Sequence, residues 1–229
     1  MTSNPSLRRF GKDAQRPSGR YFLLEDFVGS TLDTTSNWYT AVVGTGSAIA
    51  LTSAIGGQVL ISLGTGKGSS AELSWRQGSQ FRAVAQPWYT PARIQRIVWR
   101  AKVVPATTGS WYYLGVGDVD VDAFRWTLDP PTYGDSNWRI ERVFSDGVQG
   151  TPVASGIAND TANFHKYELR FTPTQNALAY YDGTYVGDTG TLTVITYASL
   201  YPWANAAQNT RNASGSIYVD YCLIEVERS

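Results

Sequence analysis

From Tyr21 onward, apolar and polar residues alternate in short runs, and glycine, proline, serine and aspartate break each run before a helical period can establish itself. Tyr21–Val28, Trp38–Val43, Ala48–Thr52, Gln58–Leu63, Ala71–Arg76, Phe81–Ala85 and Ile94–Val104 read as strands. Trp111–Val116, Ala123–Thr127, Trp138–Phe144, Lys166–Phe171, Ala177–Tyr181, Thr191–Thr196 and Ser216–Glu227 continue the series. Gly44-Thr45-Gly46, Gly56-Gly57, Gly64-Thr65-Gly66-Lys67-Gly68 and Asp182-Gly183 supply turns between them. So many strands exceed what one open sheet carries, and two antiparallel sheets packed face to face give each one a face to bury. Ser216–Glu227 is apolar on both faces, with Ile217, Val219, Tyr221 and Leu223 on one and Cys222, Ile224 and Val226 on the other. That pattern predicts a strand covered from both sides.

The 229 residues suffice for one large β-sandwich, and the 14 tyrosines and 8 tryptophans suit strands. Residues 1–20 break the pattern. Arg8, Arg9, Lys12, Arg16 and Arg20 face only Asp13, a net charge of +4, which leaves −4 on residues 21–229 of a chain that is neutral as a whole. The chain therefore divides into a basic, extended N-terminal arm (1–20) and a sandwich domain (21–229). No apolar run reaches membrane-spanning length and no signal-peptide pattern opens the chain, so no membrane partner is expected. Cys222 is the single cysteine, which excludes an intrachain disulfide. Asn159-Asp160-Thr161 and Asn212-Ala213-Ser214 match the glycosylation sequon and read as chance matches without a secretion signal.

The order of segments Tyr112-Tyr113-Leu114-Gly115-Val116-Gly117, Trp138–Phe144, Phe164–Phe171, Ala179–Gly187 and Ser216–Tyr221 resembles the concanavalin-A-like lectin/glucanase jelly roll. The version it resembles is the one found in virion proteins of tailed bacteriophages. The resemblance covers roughly residues 21–227 and implies an all-β, two-sheet antiparallel jelly-roll sandwich. The family's uses run from glycan binding and glycan hydrolysis to purely structural roles, so the site must decide.

Asp118, Asp120 and Asp122 form a D-x-D-x-D run whose alternation sets three carboxylates on one side of an extended chain, a candidate Ca2+ cluster. Ala123 stands where a calcium loop needs glycine, and a solvated acidic loop is the plainer reading. The run also echoes the E-x-D-x-E signature of glucanases of this fold, which work with paired carboxylates, but no glutamate occupies any of the three places. Hydrolysis is therefore not expected, and no other cofactor is implied. His165, the one histidine, reads as a surface or satisfied residue, and Cys222 as a buried inert thiol. Gly64–Ser70 lacks the spacing of a phosphate loop and reads as a turn.

Trp88-Tyr89, Trp111-Tyr112-Tyr113 and Tyr201-Pro202-Trp203 are more aromatic than a sandwich core needs. Neighbours on a strand point to opposite faces, so one of each pair is available for glycan stacking or for a protein interface. Trp88, Tyr89, Trp203 and Asn205, placed in loops, are the candidate glycan contacts. In the arm, Arg8, Arg9, Phe10, Lys12, Arg16 and Arg20 suit docking on a neighbouring protein. The acidic body opposes nucleic acid. The expectation is a non-enzymatic virion component, a capsid decoration or a head or tail fibre-like protein. It would be made in the host cytoplasm and displayed on the virion surface as a homo-oligomer such as a trimer, with capsid or tail proteins as partners. The alternative is a carbohydrate-binding module that attaches to a host or environmental glycan.

Overall fold

A computed structural model describes residues 20–28, 31–32, 34, 38–52, 57–75, 94–106, 109–118, 122–129, 134, 136–143, 150–172, 176–190, 201–208 and 214–227. They form β1 (Arg20–Glu25), β2 (Trp38–Val43), β3 (Ala48–Thr52), β4 (Gln58–Ser62), β5 (Ser70–Trp75), β6 (Ile94–Val104), β7 (Ser110–Asp118) and β8 (Asp122–Leu128). Then come β9 (Asn137–Val143), β10 (Val153–Ala158), β11 (His165–Phe171), β12 (Ala177–Tyr181), β13 (Thr184–Asp188), β14 (Tyr201–Gln208) and β15 (Ser216–Glu227). One sheet has eight strands in the order β13-β12-β11-β6-β15-β4-β3, with β1 also on β15; the other has seven, β10-β9-β8-β7-β14-β5-β2. Every pairing is antiparallel. The all-β, two-sheet jelly-roll expectation is met.

The core lies between the sheets and is built around rings. Trp38, Trp99, Trp126, Trp138, Tyr112, Tyr167 and Phe124 are fully buried there, filled in by Val59, Ile61, Leu73, Ile97 and Ile217. Each indole N–H that enters the core needs a partner, because leaving it unpaired forfeits its hydration. Trp99 Nε1 donates to Gly115 O (3.0 Å) and Trp126 Nε1 to Glu168 O (3.4 Å), so both bonds run from one sheet to the other. Trp138 Nε1 donates to Asn159 Oδ1 (3.1 Å), while Asn159 Nδ2 donates to Val103 O (3.1 Å). The Asn159 amide is thus occupied as a structural bridge, which agrees with reading its sequon as chance.

Four expectations need correction. β1 ends at Glu25, short of Val28, because Phe27 takes a left-handed backbone (φ 51°) that turns its ring into the core, 5.3 Å from Trp38. Arg20 opens β1 opposite Glu227 instead of closing an arm. β15 is not apolar on both faces as a regular strand. A bulge between Val219 and Tyr221 inserts Asp220 and shifts the phase, so Ile217, Val219, Cys222 and Ile224 all reach the core. The tryptophan surplus is largely spent in that core. Strands β10, β13 and β14 complete the sheets beyond the runs expected from alternation. Phe81–Ala85, Thr191–Thr196 and arm residues Arg8, Arg9, Phe10, Lys12 and Arg16 lie outside the described residues.

Candidate functional site

The seven-stranded sheet turns Phe124, Trp126, Ala204, Ala206, Leu73 and Leu114 inward, so the alternate residues share its outer face. Register places two rows across that face. Glu72, Asn205, Tyr113, Thr127 and Arg139 are successive cross-strand partners from β5 to β9. Beside them run Tyr39, Ser74, Trp203, Gly115, Arg125 and Glu141 from β2 to β9. At the centre three groups meet: Trp203 stacks on Tyr113 (centroids 5.5 Å, planes 16° apart), and the Arg125 guanidinium lies 3.8 Å from the Tyr113 centroid and 5.9 Å from that of Trp203.

Gly115 makes this stack possible. A Cβ there would lie 2.1 Å from Phe124 O of the neighbouring strand, so only glycine lets β7 and β8 pair closely between Trp203 and Arg125. Arg125 is anchored from behind, with Nε (3.0 Å) and Nη2 (2.8 Å) on Glu141 Oε2, and Thr127 Oγ1 donates to the same oxygen (2.8 Å). Ser74 Oγ donates to Glu72 Oε1 (3.0 Å). Burial pushes the Tyr113 hydroxyl well above its ordinary pKa; Arg125 opposes the shift, and Glu141 and Asp129 add to it. Trp203 Nε1 is buried with no hydrogen-bond partner among the described residues.

Of the candidate glycan contacts, Trp203 and Asn205 lie here, but not in loops. Both sit on β14, between β7 and β5, and Trp203 is only 7% exposed. Pro202 fits in β14 because it pairs with Val116 of β7 alone, the pairing with β5 beginning only at Trp203. Trp88 and Tyr89 lie outside the described residues. Tyr113 stands out in the sequence only as one ring of the Trp111-Tyr112-Tyr113 run, and Arg125, Glu72 and Glu141 do not stand out at all. Alternation in Ala71–Arg76 and Trp111–Val116 could have put Glu72 and Tyr113 on outward positions, whereas the Arg125–Glu141 pair depends on cross-strand register.

The D-x-D-x-D run does not lie along one extended chain. Asp118 ends β7, Asp122 opens β8, and the two pair across the hairpin, with Asp120 outside the described residues. The hairpin therefore makes Asp118 and Asp122 direct cross-strand partners in place of two positions along a single strand. Among the described residues no group of three or more His, Cys, Asp or Glu is placed to hold a metal. Nor is any described helix long and apolar enough to cross a membrane. Cys222 is a buried thiol. The Gly64–Gly68 turn is pinned by Gln208 Nε2, which donates to Gly64 O (2.5 Å) and Gly66 O (2.7 Å).

Of the two readings of His165, surface or satisfied, it is the satisfied one that the structure shows. Its Nδ1 meets Asp182 Oδ2 (2.6 Å), its Nε2 meets Asp160 Oδ2 (3.1 Å), and its ring stacks on Tyr181 (4.8 Å, 22°). Partial burial lowers its pKa, but the hydrogen bonds and charges of Asp182 and Asp160 outweigh that and raise it above the ordinary histidine value. This clamp sits at one end of the other sheet, where the inner strand β11 begins.

No family model matches the chain, and no curated protein matches it. Solved structures do. A Bacteroides ovatus glycoside hydrolase family 16 protein of a mixed-linkage glucan locus, bound to its product, superposes with a TM-score of 0.64 at 14% identity, covering 88% of this chain and 99% of that one. A β-1,3-glucanase from Mycobacterium marinum gives 0.62 at 13% identity over 88% and 97% of the two chains. A protein of unknown function from Shewanella oneidensis gives 0.63 at 14% identity over 92% and 87%. Identity this low establishes the shared jelly-roll fold and nothing finer. It still corrects the expectation of a non-enzymatic virion structural protein. The fold neighbours with a stated activity include glucanases, other glycosyl hydrolases and an O-glycanase, so neither inactivity nor a particle context follows from the fold. Capsid, tail and same-chain partners gain no support from them.

Proposed function

We propose that this protein recognises a glycan on the outer face of the seven-stranded sheet. The observation that carries this reading is the Trp203–Tyr113–Arg125 stack, laid beside Asn205 and Glu72 in one continuous pair of cross-strand rows. Sugars are bound by flat rings that meet their apolar faces and by fixed polar groups that meet their hydroxyls. This face supplies both: the half-buried Tyr113 ring supported from behind by Trp203, and the polar groups of Asn205 and Arg125. The hydrolases of the same fold make β-glucans the first ligands to try.

Hydrolysis of the bound glycan is the second reading, favoured by those enzymes and by Glu72, a buried carboxylate one strand from Asn205. Glu72 and Glu141 stand on β5 and β9, four strand spacings apart, or about 19 Å at the usual spacing. Retaining hydrolases hold their carboxyl pair about 5–5.5 Å apart and inverting ones about 6.5–9.5 Å. Glu141 is therefore not the partner of Glu72, and a hydrolytic pair requires another carboxylate beside Glu72.

The test is titration of the full chain with mixed-linkage and β-1,3-glucan oligosaccharides, together with assay of new reducing ends. Binding that weakens roughly tenfold in Asn205→Ala, a loss of about 1.4 kcal/mol, supports the face. Reducing ends produced by the parent chain and lost in Glu72→Gln, with binding kept, establish the second reading. No binding across a broad glycan array, and no hydrolysis, sinks both.

A further inference from the structure

The outer face of the eight-stranded sheet carries a different chemistry. Because Ile97, Trp99, Ala101 and Val103 enter the core, β6 turns Arg96, Arg100 and Lys102 outward, and β11 likewise adds Lys166 and Arg170. Three of these five cations have carboxylates. Glu168 Oε1 lies 2.7 Å from Arg96 Nε and 2.6 Å from Arg170 Nε, and the bulge residue Asp220 takes Arg100. Lys102 is held otherwise. Its Nζ stands 5.4 Å from the Phe164 centroid and 4.8 Å from that of Tyr218, and it meets no carboxylate among the described residues. Arg100 shares the Phe164 ring at 5.2 Å, and the exposed Lys166 lies across from Arg100 in register.

The distinction matters because an aromatic ring fixes a cation without neutralising it, whereas a carboxylate does both. Lys102 is thus a positioned, uncompensated charge, and Lys166 an open one beside it. Arg96, Arg100 and Lys102 follow one strand over about 20 Å, a track suited to an extended chain of charges. Residues 21–229 carry −4 overall, so the strip is a local reversal of the domain's sign. A polyanion repelled by the rest of the domain is steered to it.

We infer that this strip is a second carbohydrate-binding face, specific for a linear polysaccharide bearing sulfate or carboxylate groups. The choice of a saccharide rests on the carbohydrate reading above, while the requirement for negative charge rests on these side chains alone.

The experiment compares binding of the full chain to heparin, to neutral β-glucan and to single-stranded DNA, at low and high salt. The expected result is salt-sensitive heparin binding that falls roughly tenfold or more in the Lys102→Glu/Lys166→Glu double variant. In that variant β-glucan binding and the thermal midpoint stay unchanged, and Lys102→Arg/Lys166→Arg retains heparin. Arg8→Gln/Arg9→Gln serves as the control for the basic N-terminal residues and is expected to bind heparin as the parent does. Heparin binding lost in that control but kept in the double variant overturns the inference. So does no heparin binding at all, or equally tight binding of DNA. Heparin binding that persists in a chain with no β-glucan binding upholds the strip and removes only the first face.

Discussion

At the scale of the residue, one hydrogen bond joins the core to the candidate glycan face. Trp99 Nε1 donates to Gly115 O from one sheet to the other, and Gly115 lies on the outer row between Trp203 and Arg125. A methyl group at Gly115 meets Phe124 O at 2.1 Å, and that obstacle is backbone, so β7 must move away from β8. Gly115→Ala is expected to cost about 1–3 kcal/mol through overpacking and to weaken glycan binding as the Tyr113–Arg125 contact opens. Trp99→Phe keeps a ring in place but removes the sheet-to-sheet hydrogen bond and leaves a void beside it, a loss of about 1–3 kcal/mol. Urea denaturation reads both values. Because the two residues share one bond, the double variant should lose less than the sum of the singles, and strict additivity would refute the coupling.

At the scale of the element, the His165 clamp ties three pieces of chain together: β11, the loop carrying Asp160, and the β12–β13 turn carrying Asp182. Asp182 and Gly183 both have positive φ (48° and 86°), the backbone of a two-residue hairpin turn, and Lys166 N donates to Asp182 Oδ1 (2.8 Å). With a carboxylate at each nitrogen, the ring is best served when both nitrogens carry protons. The histidine pKa is raised in the fold, so its contribution is complete below the ordinary value of 6.5 and is lost as pH rises through the raised value. Asp160 has the opposite sign. Its carboxyl is held low by the Asn163 side chain, the Ala162 N–H and His165, so its contribution is present above 3.8 and is lost as pH falls toward its lowered value. The urea midpoint should therefore fall on the alkaline side of 6.5, and His165→Gln should flatten that limb. An unchanged alkaline limb in the variant would refute the clamp. Turn chemistry made Asp182-Gly183 readable from sequence, whereas the loop partner Asp160 could not be read because it meets His165 only after the sheet has formed. The bulge in β15 was concealed for a related reason: one inserted residue mimics a strand that is apolar on both faces.

At the scale of the whole molecule, alternation was a sound guide wherever a strand has one face in the shared core. It failed for β14, whose inward residues are alanines behind Pro202, and for β10, where Gly156 (φ 72°) and a register shift break the period. The candidate site suffered most from this. Trp203 and Asn205 were identifiable as residue types, but their neighbours Glu72, Tyr113 and Arg125 come from other strands that only the sheet order brings together. Sheet order also gives β1 a role beyond that of a lead-in. Its six residues, Arg20–Glu25, pair with Cys222–Glu227 on the edge of β15 that β4 leaves open. An uncovered strand edge loses its hydrogen bonds and invites pairing with other chains. Removal of residues 1–19 leaves all six pairs intact, whereas removal of residues 1–25 strips them. The longer truncation is expected to melt at least roughly 4–8 °C below the shorter one, equivalent to about 2 kcal/mol for a domain of this size, and to aggregate more readily. Scanning calorimetry of the two truncations, with light scattering on each, measures both effects. Equal midpoints would mean that β15 needs no edge partner and that the eighth strand is dispensable. The shorter truncation also removes most of the basic N-terminal charge, so heparin binding that survives in it must reside on the domain, where Lys102 and Lys166 stand.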